Sequence, residues 1–181
     1  MNSTKRTFLA AGCLALNLSL AKVAAIFALP VYLDSVGTIL GAVLLPLPFT
    51  LVVAVSTSVL GGFLVNPYFP AYFFTQIVIG LVAVLCSKKG LFNKPWTSIL
   101  AGFLIAFTAV IASAPVTVLL FGGVTLSGTT AINAVLIAMG HNLWTGVIGG
   151  SLFTESIDKP IASFLAYIVL KRLPTRIKTI E

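Results

Sequence analysis

Charge is what this sequence lacks most: 8% of its 181 residues are charged, and only four are acidic. Ordinary soluble domains carry about 25% charged residues. Histidine occurs once and cysteine twice. That leaves no Cys-x-x-Cys pair, no Cys/His set at zinc spacing, and no plausible Ser or Cys partner for His141 in a triad. Cys13 and Cys86 both lie in apolar runs and read as small core residues. No G-x-x-x-x-G-K-[ST] loop occurs, so the chain does not hydrolyse a nucleotide, and nothing in it calls for a cofactor. Repeats of 20 to 50 residues and long hydrophilic stretches are also missing, which leaves residues 1–181 as a single domain.

What is present is apolar surface. Hydrophobic residues make up 59% of the chain and the mean hydropathy is +1.12. A chain of this length has too much surface to hide that many apolar side chains from water, so the surface must face lipid. The expected fold is an all-α integral membrane bundle.

Seven apolar segments stand out, at about 8–29, 33–47, 49–65, 71–87, 97–121, 129–153 and 156–171. Pro46 and Pro48 join the second and third by a tight turn. The opening MNSTKRTFLAAGCLALNLSLAKVAAIF resembles a signal peptide, but its apolar part is longer than a signal core and reads as a retained first helix. Nine of the eleven basic residues fall in three groups: Lys5 and Arg6; Lys88, Lys89 and Lys94; Lys171, Arg172, Arg176 and Lys178. Retention of Lys and Arg on the cytoplasmic side puts all three groups inside. Four crossings must then precede Lys88 and an even number must follow it. Six transmembrane helices with cytoplasmic termini result, with 129–153 as a long outer loop or re-entrant segment before the last helix. Asp34, Glu155 and Asp158 are then expected outside. This retention accounts for the net charge of +7 without nucleic acid as a partner.

The outer stretches LPVYLD (29–34), VNPYFPAYFFTQ (65–76) and 121–159 carry the chemistry-bearing residues. Rings with polar handles and directional amides form the usual mix of a small-molecule pocket. An interfacial aromatic belt is the competing reading for any single ring. A belt needs aromatics at both faces, however, and the inner face has little beyond Phe8, Phe92 and Trp96. The candidate substrate-binding residues are Tyr32, Asn66, Tyr68, Phe69, Tyr72, His141, Asn142 and Trp144. The glycines of GGVTLSG and GVIGG suit a lid. In the first helix Ala11 and Ala15 sit four apart, a small-x-x-x-small spacing that lets helices approach closely in lipid, and Leu18 and Lys22 continue the stripe. Lys22 lies deep in that helix, where a charge must snorkel or pair, and Asp34 is the nearest acid in sequence.

These features together resemble the substrate-binding S-components of energy-coupling factor (ECF) vitamin transporters. The resemblance is carried by the length, the six-helix parity, Ala11 and Ala15, the segment VYLDSVGTILGAVLL, and the ending ESIDKPIASFLAYIVLKRLP. It implies a prokaryotic plasma-membrane protein that is not itself an enzyme. Such a protein would bind a vitamin under its outer loops and dock through Ala11 and Ala15 onto a T transmembrane subunit, with two cytosolic ATPases supplying energy. Cobalamin is the cargo the resemblance favours, with riboflavin, a queuosine precursor or pantothenate as alternatives. A non-transporting membrane scaffold or a membrane enzyme is the rival class.

Overall fold

The computed structural model describes residues 2–125 and 127–174, so Arg176, Lys178 and Leu126 of the lid stretch lie outside the described residues. Seven α-helices follow one another: α1 (Ser3–Ile26), α2 (Val36–Leu44), α3 (Leu47–Leu64), α4 (Phe73–Lys88), α5 (Pro95–Phe121), α6 (Thr129–Ala138) and α7 (Leu143–Arg172). Short 3₁₀ turns at Phe69–Tyr72 and Leu91–Asn93 lead into α4 and α5, and there is no β-strand among the described residues. Helix is the form expected in lipid, because it satisfies its backbone polar groups internally.

Ser3–Ile26, Leu47–Leu64, Phe69–Lys88 and Pro95–Phe121 are each long and apolar enough to cross a bilayer, which marks a membrane protein. Their outward faces carry large apolar side chains: Phe63 is 85% exposed and Trp96 80%. Such a surface suits hydrocarbon and not water.

The inward faces are small and close-packed. On α1 the stripe Ala10, Cys13, Asn17, Ala21 and Ala24 is buried, at the spacing of one helix face. Ala11, Ala15 and Lys22 are exposed on its other side. α2 crosses α1 so tightly that a Cβ on Gly37 would overlap the carbonyl of Cys13. At this crossing the Asn17 amide joins three helices. Its Oδ1 accepts from the Gly37 N–H at 2.6 Å, and its Nδ2 donates to Thr38 Oγ1 and Thr57 Oγ1, both at 2.9 Å. A buried amide is tolerated when its bonds are made, as these are. α5 and α7 meet as closely, since a Cβ on Gly102 would collide with the backbone of Pro160.

Two elements depart from the sequence reading. The segment expected at 33–47 is only a nine-residue helix, about 14 Å long, preceded by non-helical chain over 28–35. Eight of its nine residues are buried, so α2 is a core element with almost no lipid-facing surface. The break expected between 153 and 156 does not exist either. α7 runs unbroken from Leu143 through the TESIDK stretch, and the outer segment shrinks to α6 and its connections. Acidic and basic side chains that neutralise one another inside the bundle do not have to end a helix.

Replacing Gly37 by Ala drives a side chain into backbone and should destabilise the protein by about 1–3 kcal/mol. Gly12→Ala is the matched control on α1, because a Cβ there meets nothing within 4 Å. Thermal unfolding in detergent should show a lowered midpoint for the first variant and none for the second.

Candidate functional site

One end of the bundle holds a cavity of about 740 Å³. Its walls come from the C-terminal ends of α1, α3 and α5, the N-terminal parts of α4 and α7, and α6. The basic groups Lys5/Arg6, Lys88/Lys89/Lys94 and Lys171/Arg172 therefore lie at the opposite helix ends.

Lys159 dominates the floor. Its side chain is 1% exposed, and Nζ lies 2.5 Å from Asp158 Oδ2, 3.1 Å from Glu155 Oε2 and 3.4 Å from Asp34 Oδ1. An ammonium has three protons, and three carboxylates surround this one. The Lys159 Nζ also sits 5.6 Å from the centre of the Tyr32 ring. Asp158 is fully buried and saturated, since Oδ1 accepts from the backbone N–H of Tyr32 at 2.9 Å and of Leu33 at 2.7 Å. It thereby holds the non-helical 28–35 chain against α7 and supplies acceptors that no helix provides there. Asp34 takes a second bond on Oδ2 from Gln76 Nε2 at 2.7 Å.

The walls are aromatic. Tyr68 and Tyr72 pack on Phe121 with ring centres 4.6 and 5.9 Å away, and the Tyr72 hydroxyl pairs with Thr117 Oγ1 at 2.9 Å. Tyr32 reaches α6 through a 2.8 Å bond to Thr129 Oγ1, which in turn pairs with Thr154 of α7. At the 28–30 loop Gly128 packs so close to the Leu29 carbonyl that a Cβ would clash. Four buried polar atoms of lining residues, Ser58 Oγ, Thr75 Oγ1, Gln76 Oε1 and Glu155 Oε2, make no hydrogen bond among the described residues, although Glu155 Oε2 is in ion-pair contact with Lys159. Unpaired buried polar groups are costly, and at a cavity wall they mark where a ligand can bond.

Of the residues singled out from the sequence, Tyr32, Asn66, Tyr68, Phe69 and Tyr72 line the cavity together. His141, Asn142 and Trp144 do not, and all three are exposed at the α6–α7 junction. Gly140, with φ +96°, ends α6, and Asn142 caps α7 by accepting from the Thr145 N–H at 2.9 Å. This is a helix-to-helix turn and a cap. Lys22 does not pair with Asp34, and every ion pair among the described residues involves Lys159. Asp34, Glu155 and Asp158, whichever side of a bilayer they face, are mostly buried around Lys159. Sequence reasoning missed Lys159 and its carboxylates as site residues, although Glu155 and Lys159 at i and i+4 were a visible signal.

Among the described residues no group of three or more His, Cys, Asp or Glu side chains is placed to hold a metal ion. No family model matches the sequence, and no curated protein or solved structure matches it.

The carboxylates differ in what they hold. Asp158→Ala strips Lys159 of its nearest partner and two backbone N–H groups of their acceptor, and should cost about 3–5 kcal/mol. Glu155→Gln removes one charge from a cluster already in acidic excess and should stay within about 1 kcal/mol of the parent. Unfolding midpoints of the two variants, measured side by side, check this ordering.

Proposed function

We propose that this chain is a membrane-embedded solute-binding subunit of the S-component type. It would take up a vitamin-sized organic molecule in the cavity and pass it on through partner subunits. The observation that carries this reading is the cavity itself, drug-sized at about 740 Å³ and lined by rings and a few convergent polar groups. Within the bundle such a space with unpaired donors and acceptors is costly to keep unless something fills it.

The topology fits the same reading. If α1, the 28–44 stretch, α3, α4, α5 and α7 each cross and α6 does not, the three basic groups share one side. The positive-inside rule makes that side cytoplasmic, so both termini are inside and the cavity opens outward from a prokaryotic plasma membrane. Non-helical chain over 31–35 is tolerable at depth because it is partly buried against protein and borders a cavity, while 28–30 is exposed. Exposed Ala11 and Ala15 leave a shallow face on α1 for a T transmembrane subunit, with energy from two cytosolic ATPases.

Cobalamin is the cargo favoured by the resemblance. A corrinoid exceeds a drug-sized cavity, so its binding requires the 28–31 and 127–130 stretches to move apart. Riboflavin, a queuosine precursor and pantothenate are smaller and closer to the size of the cavity.

Calorimetry of the purified protein against these four compounds tests the reading. Tight binding of one of them, weakened by Tyr72→Ala by about 1–3 kcal/mol, is expected. Failure of all four, together with failure to co-purify with T and ATPase subunits, would contradict it. Ala11→Leu with Ala15→Leu should abolish association with the T subunit while leaving solute affinity unchanged. A parallel loss of affinity would mean the stripe is internal packing.

A further inference from the structure

Among the described residues that line the cavity Lys159 is the only basic one, and it lies within 3.4 Å of three carboxylates, donating hydrogen bonds to Asp158 and Asp34. A bound anion would find no free cation there. The carboxylates outnumber the ammonium, and they are unequally satisfied. Asp158 is bonded on both oxygens and faces away from need. Glu155, 4% exposed, has its Lys159 contact through Oε2 at 3.1 Å, without hydrogen-bond geometry. Asp34 is held by Gln76 on one oxygen and only loosely, at 3.4 Å, by Lys159 on the other.

A second, independent feature points the same way. Gln76 is 3% exposed, its Nε2 is committed to Asp34, and its Oε1 has no partner among the described residues. The unmet capacity at the cavity floor is thus mainly that of acceptors, two carboxylates and an amide oxygen, beside the hydroxyls of Ser58 and Thr75, which can accept as well as donate. Aromatic walls above them favour a flat apolar body and the π-face contacts open to a cation.

From this arrangement we infer that the cavity selects a nitrogenous organic cation, a flat ring system bearing a protonated amine that sits on Glu155 and Asp34. Such a ligand supplies the missing positive charge and donates to Gln76 Oε1, in charge-assisted hydrogen bonds of the stronger kind. This rests on the solute-binding reading and narrows it: an anionic cargo such as pantothenate is disfavoured, and an amine-bearing heteroaromatic is preferred.

Three probes that share one ring and differ in the head group test the inference. They are tryptamine with an ammonium, N-acetyltryptamine with a neutral amide, and indole-3-propionate with a carboxylate. Equilibrium dialysis against the full-length protein in lipid nanodiscs should retain tryptamine about tenfold more tightly than either of the others. Glu155→Gln and Asp34→Asn should each remove most of that preference, with the melting temperature of each variant serving as the control for folding. The inference is overturned if tryptamine is not retained, if the neutral or anionic probe is retained as well or better, or if the preference survives in both variants. Retention of any probe that Tyr72→Ala reduces keeps the solute-binding reading even when the charge preference fails. If no indole and no vitamin binds, both fall.

Discussion

An ammonium group buried among three carboxylates is the constraint on which this structure depends. Burying a charge in an apolar bundle costs several kcal/mol unless partners and hydrogen bonds surround it. Lys159 finds its partners on two elements: Glu155 and Asp158 within its own helix, and Asp34 from the chain just before α2. The long-range pair ties residues far apart in sequence. Asp158 extends the tie by accepting the Tyr32 and Leu33 N–H groups. The 31–35 chain can therefore lie against α7 without being helical.

That non-helical chain borders the cavity, whose wall Tyr32, Tyr68 and Tyr72 share with it. Below it, small residues close the bundle. Gly37 against Cys13 and Gly102 against Pro160 bring backbones together, and the satisfied Asn17 amide fixes the crossing of α1, α2 and α3. The open end and the closed end thus follow from different residue types. Rings and acids hold one apart; glycine, alanine and threonine draw the other in.

How much of this could be read beforehand depended on the kind of signal. Membrane character and the long helices follow from composition and from runs that need no partner to be recognised. The aromatic cavity walls were legible because rings and amides clustered in two short stretches, 29–34 and 65–76. The acid floor was not, because a charge in an apolar run reads equally as the end of a helix or as an enclosed pair. Only the position of Asp34, 125 residues from Lys159, decides between them. His141, Asn142 and Trp144 lie away from the cavity for a different reason. Polar residues after Gly140 resemble a ligand contact, yet the order Gly-x-Asn-x-x-Thr is also that of a helix stop followed by a cap, which the structure adopts.

On the proposed topology the acid-floored cavity opens away from the three basic clusters and toward the outside of the cell. The most direct test of that topology is thiol accessibility in intact cells, using a variant with Cys13 and Cys86 replaced by Ala as the background. A membrane-impermeant maleimide should modify Tyr68→Cys without lysis, and Lys89→Cys only after permeabilisation. Modification of Lys89→Cys from outside, with Tyr68→Cys protected until lysis, would contradict the account.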